Sequence, residues 1–109
     1  MRLGMGGAFV NARRETRIPM EVGVHISGHS SVSGTETTFT ENVSPRGARV
    51  LTTCRWRMGD RLKIATLTGS FHALARVAYC RAAPHGGFAV GIEFLDPAGT
   101  WVVSGAHAD

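Results

Sequence analysis

The chain has 109 residues, twelve basic side chains against eight acidic, a net charge of +4 and a mean hydropathy near zero. That length makes one domain, with a modest core that needs no disulfide or metal to hold it. Fourteen glycines and short apolar runs weigh against helices and for a chain of many strands and turns.

Eleven of the twelve cations are arginine, Lys63 being the exception. Arginine carries a planar fork of donors that grips phosphate or the edge of guanine with two bonds, which lysine cannot do. The balance permits an anionic partner without requiring one, since a biased genome also enriches arginine. Cys54 and Cys80 form neither a Cys-x-x-Cys pair nor a metal-spaced set, and are expected as buried free thiols.

Residues 1–12 lack periodicity and read as a flexible N-terminal arm. Their short apolar patch from Met5 to Val10, broken by glycines, is too short for a signal-peptide core or a membrane span, which implies a cytoplasmic protein. Charge is dense from Arg13 to Arg17. Ile18 precedes Pro19 and is pushed extended, so both arginines lie on the lead-in to a strand.

Met20, Val22, Val24 and Ile26 then alternate with polar residues or glycine as a half-buried first strand. A Ser-rich loop over 28–34 leads to a Thr-rich second strand over 35–43 that carries Phe39. A third strand runs from Gly47 to Thr53, with Ala48, Val50 and Thr52 on one face. After a connection ending at Gly59-Asp60, Leu62, Ile64 and Leu67 mark a fourth strand. Phe71 to Cys80 is the fifth, with Phe71, Ala73, Ala75, Val77 and Tyr79 on one face. Pro84-His85-Gly86-Gly87 is a turn, and Phe88, Val90, Ile92 and Phe94 alternate as the sixth strand.

Six short strands without an amphipathic helix predict an all-β fold, a small six-stranded antiparallel β-barrel whose closure removes exposed edges. The barrel domain is expected over 13–97. Residues 98–109 read as a short tail with little or no C-terminal helix, its Trp101 placed to plug the barrel end.

Two motifs carry the chemistry. Arg13-x-x-x-Arg17 precedes the first strand, and Asn42-x-Ser44-x-x-Gly47 spans the junction of the second and third. If Val43 faces the core, Asn42 and Ser44 both face outward. An amide accepts and donates at once, a hydroxyl is compact enough to meet a phosphate, and Gly47 allows close approach or a positive φ. Two guanidiniums, an amide and a hydroxyl on one ligand suit a planar, multiply anionic molecule.

At these residues, and over roughly Arg13 to Phe94, the chain resembles the PilZ domain, a bacterial receptor module for cyclic di-GMP. The resemblance implies that Arg13 and Arg17 are the principal ligand arginines, assisted by the intervening Arg14, and that Asn42, Ser44 and Gly47 belong to the binding surface. Gly91, in Val90-Gly91-Ile92-Glu93-Phe94, looks like the Gly-x-x-Phe of the family's last strand and joins that set. It further implies a second-messenger receptor or adaptor with no catalytic residues, metal or cofactor, whose Arg segment orders on the ligand and signals to a separate effector protein.

Two other readings stay open. One is a barrel of the same kind that binds no nucleotide and acts as a protein-interaction module. The other is a nucleic-acid-binding barrel, disfavoured because Phe71, Phe88 and Phe94 fall on core faces. That leaves Trp56 as the sole stacking candidate, and a Trp in its position more readily caps a barrel end. An enzyme is disfavoured too: His25, His29, His72, His85 and His107 are scattered, no His-Glu-x-x-His occurs, and Gly28-His29-Ser30-Ser31-Val32 lacks the last glycine of a nucleophile elbow.

Overall fold

The computed structural model describes residues 16–104 and contains seven strands and no helix among them. The strands are β1 (Ile18–Pro19), β2 (Gly23–Ser27), β3 (Thr35–Ser44), β4 (Gly47–Thr52), β5 (Arg61–Thr66), β6 (Phe71–Ala82) and β7 (Phe88–Gly99). The expected N-terminal arm, Arg13, Arg14 and the end of the tail lie outside the described residues.

All pairings are antiparallel. The sheet runs β1-β3-β2-β5-β6-β7-β4, and β4 returns to β3. Strands β2 to β7 therefore form the expected closed six-stranded barrel, with the two-residue β1 laid along β3 as an addition. Inward residues alternate with outward ones on every strand and meet in a core that includes Val24, Ile26, Val43, Val50, Leu62, Ile64, Val77 and Val90, each at most 2% exposed.

Two aliphatic residues of the expected strand patterns, Met20 and Leu67, are outside the core. The first strand was expected from Met20, but β2 begins at Gly23 and Met20 is exposed. Between β1 and β2 the chain arches off β3, and buried Thr40 fills the gap with one hydroxyl. Its Oγ1 accepts from Val22 N at 2.9 Å and donates to Met20 O at 2.7 Å. Leu67 falls past the end of β5, where Thr66 takes the inward position. It is 49% exposed and lies over Gly23 on the outer surface.

The ladders carry three register shifts, one of them between Leu74 and Ala75 opposite β7, and the other two are bulges that re-aim side chains. On β3 the register shifts between Thr40 and Asn42, so Thr40 and Val43 stay inside while Glu41 and Asn42 both face out. On β6 the register shifts between Val77 and Tyr79, with Ala78 as the extra residue. Strict alternation placed Tyr79 in the core. The bulge instead turns it outward, opposite Gly91.

The two tryptophans close the two ends. Trp101 packs tilted against Phe71 and edge-on to Phe94, with ring centroids 4.7 and 5.0 Å away, and its indole Nε1 donates to Ser44 O at 2.8 Å. Strand β7 runs on to Gly99, pairing there with Phe71, and so carries Trp101 to that end. At the other end Trp56, 4% exposed, sits edge-on to His29 at 4.6 Å. The position suits a cap and removes it as a stacking surface for bases. Cys54 and Cys80 are free thiols, half-buried rather than fully enclosed.

The contrast between two leucines tests this assignment. Leu62→Ala removes a fully buried side chain and is expected to cost about 2–5 kcal/mol. Leu67→Ala is expected to stay within about 0.5–1 kcal/mol. Urea unfolding followed by fluorescence measures both.

Candidate functional site

The first motif's second arginine meets the second motif. Arg17 Nη1 donates to Asn42 Oδ1 at 2.8 Å, across 25 residues of sequence. β1 makes this contact possible: Ile18 pairs with Val43 and Pro19 with Asn42, which sets the preceding Arg17 beside the end of β3. Arg17 is exposed, so its guanidinium is open to exchange partners.

From Asn42 a row of outward residues crosses the barrel. Asn42 pairs with Arg49 on β4, Arg49 with Gly91 on β7, and Gly91 with Tyr79 on β6. A Cβ on Gly91 would lie 2.2 Å from the Tyr79 ring, so the bare glycine lets that ring lie down across β7. The Tyr79 side chain then reaches Arg49. Tyr79 raises Arg49 above the ordinary arginine range, with burial opposing the effect and nearby Glu41 adding to it. Arg49 Nε is also 3.0 Å from Glu41 Oε1. The Arg81 guanidinium stacks over the Tyr79 ring, 4.8 Å from its centroid.

Ser44 and Gly47 sit one outward row further on. Ser44 is buried, with its Oγ 3.4 Å from Gly47 O, and its backbone carbonyl accepts the Trp101 bond. Gly47 has no positive φ. What demands glycine there is close approach, since a Cβ would come within 2.2 Å of Ile92 O across the β4–β7 pair. The structure thus brings Arg17, Asn42 and Gly91 onto one face and sets Ser44 and Gly47 beneath its edge.

Arg49, Tyr79 and Arg81 complete this face and carry no sequence signal of their own. Arg49 is one arginine among eleven, and alternation assigned Tyr79 to the core. The face gathers three guanidiniums, one carboxylate, one amide and one aromatic ring, with Glu41 already paired to Arg49. Among the described residues no group of three or more His, Cys, Asp or Glu is placed to hold a metal ion. No helix there is long and apolar enough to cross a membrane.

The two glycines predict different failures. Gly47→Ala drives a methyl into backbone and is expected to lose about 2–3 kcal/mol or more of stability. Gly91→Ala meets only the end of a side chain, which can swing away. It is expected to cost about 1 kcal/mol, the strain of a displaced ring, and almost nothing in a Tyr79→Ala background. A double-mutant cycle by urea unfolding measures this.

Comparison with known proteins fits this geometry. No curated protein sequence matches the chain. Among solved structures it is similar to the Bacillus subtilis inhibitor of motility MotI/DgrA, at 17% identity and a TM-score of 0.66. The match covers 82% of this chain and 45% of that one, so this chain spans under half the length of that protein. The PilZ domain family model matches residues 11–100, nearly the whole barrel and both motifs, and the chain therefore belongs to the PilZ domain family.

Proposed function

We propose that this barrel is a receptor for cyclic di-GMP, the ligand that PilZ domains in general bind, and that it passes the signal to a separate effector protein. The observation that carries the reading is the 2.8 Å bond from Arg17 to Asn42, the contact that joins the two motifs on one face beside Arg49 and Tyr79.

The chemistry follows from the ligand's two phosphodiesters and two guanines. Arg17 exchanges a single bond to a neutral amide for a charge-assisted or two-pronged bond to phosphate or to the guanine O6/N7 edge. Asn42, released from Arg17, presents both acceptor and donors to a base. Arg49, beside Asn42 on the next strand, takes a phosphate. The Tyr79 ring offers a stacking face once Arg81 moves aside.

Arg13 and Arg14 supply further donors from the segment that leads into β1. Ordering several residues opposes binding by roughly 1–2 kcal/mol each. Charge-assisted bonds of about 1.5–3 kcal/mol each offset this, leaving a net affinity on the order of micromolar. Ser44 and Gly47 act from below, by fixing the turn that carries Asn42 against the barrel. The reaction is binding alone, with no catalytic residue, cofactor or metal, and the setting is the cytoplasm, where a nucleotide second messenger is found.

A second reading, a protein-interaction module, draws on one observation. Phe39, 53% exposed, and Leu67 flank Gly23 on the outer surface, an apolar strip next to the site on β3. The strip suits the effector in the first reading and would be the whole function in the second.

Calorimetric titration with cyclic di-GMP, with GTP and a short single-stranded oligonucleotide as controls, separates them. The receptor reading expects saturable binding near micromolar. Arg17→Ala or Asn42→Ala should weaken it about tenfold to a hundredfold, and Arg13→Ala/Arg17→Ala should abolish it. Tyr79→Phe keeps the stacking ring and should retain most affinity, whereas Tyr79→Ala should lose about 1–3 kcal/mol. A folded wild type that gives no heat with cyclic di-GMP overturns the receptor reading and leaves the interaction module. Binding of the oligonucleotide instead would restore the nucleic-acid reading.

A further inference from the structure

A second concave surface lies on the barrel wall built by β2, β5 and β6 and shares no residue with the Arg17–Asn42 face. It is an open groove of about 840 Å³, reaching from β2 across to the end of β7. Three basic side chains that are far apart in the sequence, His25, Lys63 and His72, line it together.

Strand pairing sets their geometry. Ala65 on β5 lies directly between His25 on β2 and His72 on β6. Along β5 Lys63 is exposed, Ile64 buried and Ala65 half-buried, so Lys63 stands on the outer face and approaches Ala65 from a third side. Neighbouring strands are about 4.8 Å apart, so the two imidazoles rise from strands roughly 10 Å apart, and the small methyl between them leaves that space open.

The nitrogens around this floor are uncommitted. His25 Nδ1 is 2.8 Å from Thr37 Oγ1, on the side away from Ala65. That contact holds the ring at the rim, and when the hydroxyl donates to Nδ1 the ring proton is on Nε2, which is left without a partner. Among the described residues Lys63 and His72 make no hydrogen bond or ion pair. Arg61, the preceding outward residue of β5, is exposed and adds positive charge beside them.

Three donor-bearing groups around a methyl floor suit an anion, and their number selects among anions. A phosphate monoester has three terminal oxygens, one for each group, where a carboxylate has two. On the β6–β7 side the floor continues as Leu74, opposite Lys63, and Ala98, opposite His72. Asp96, opposite Leu74, closes that end with a carboxylate that repels a second anionic group.

We propose that this groove is a binding site for a small organic phosphate monoester, its phosphate over Ala65 among His25, Lys63 and His72 and its apolar body on Leu74 and Ala98. The groove is far larger than phosphate alone and falls within the roughly 300–1,000 Å³ of small-molecule sites.

The proposal is independent of the receptor reading, and its test keeps the two apart. The full chain is titrated at constant ionic strength with phenyl phosphate, inorganic phosphate and benzoate, and followed by ¹H–¹⁵N NMR. Saturable shifts are expected at His25, Lys63, Ala65 and His72, with phenyl phosphate bound tighter than either other probe by on the order of tenfold. Ala65→Leu fills the space between the imidazoles, and Lys63→Glu reverses the charge beside them. Each should abolish the shifts, and Lys63→Glu, on an exposed position, decides the matter if Ala65→Leu fails to fold. Arg17→Ala should leave them unchanged. Shifts that never saturate, benzoate equal to phenyl phosphate, or binding that survives Lys63→Glu would each overturn the site. So would shifts centred on Asn42 and lost in Arg17→Ala, which would move the anion to the other face.

Discussion

The arrangement depends on how closely β4 approaches β7 at Gly47. There the backbone of one strand runs so near Ile92 O that any Cβ would collide with it. This approach lets β4 pair with β7 along Gly47–Thr52 while its other edge pairs with β3, and so closes the barrel. Phe94 N donates to Arg46 O at 2.8 Å and pins the same corner from the next residue. Because the corner is fixed, Asn42 has a fixed height on β3, and Arg17 has a fixed place to meet it. A motif glycine that reads in the sequence as a ligand contact is, in physical terms, the joint that fixes the outer face of Arg17 and Asn42.

The two bulges explain how a barrel this small carries a polar face without weakening its core. Each inserts one residue, Glu41 on β3 and Ala78 on β6, and each reverses the outward set on one side of the insertion only. Thr40 and Val43 both stay inside although Asn42 points out, and Val77 stays inside although Tyr79 points out. Without the first bulge, Asn42 would lie on the inward side with Thr40. The cost is an interrupted ladder, and polar side chains take up the slack: Thr40 bridges Met20 and Val22, and Arg49 pairs with the bulged Glu41.

This also marks what the sequence made legible. Val24, Ile26, Val50, Leu62, Ile64, Val90 and Ile92 alternate with outward residues over uninterrupted strands, so period two located them and with them the six-stranded closure. Arg17 and Asn42 were legible as parts of two spaced motifs. Tyr79 was not, because the extra residue that turns it outward, Ala78, is chemically indistinguishable from an ordinary strand alanine. Register on β6 is decided by its partner Gly91, 12 residues further along the chain. Leu67 was misplaced for a related reason. Its apolarity continued the pattern of Leu62 and Ile64, but the spacing from Ile64 is odd, and alternation gives the inward position to Thr66. Thr66 is kept inside because its hydroxyl bonds the Phe71 backbone across the turn.

The ends of the barrel follow a different logic from its walls. A closed sheet satisfies its own backbone, yet its two openings expose core side chains to water, and this chain uses one tryptophan for each. Trp101 brings its polar edge to a strand carbonyl and is balanced. Trp56 is positioned by its ring, against His29 and the core, and its N–H is left over. The same size of side chain therefore makes a finished plug at the Ser44 end and an unfinished one at the other. The finished end lies beside Asn42, where it helps hold the outer face of Arg17 and Asn42 in place. The unfinished end lies under the loop over 28–34, which starts and finishes on left-handed glycines and is tied down by His29 on Arg55 O.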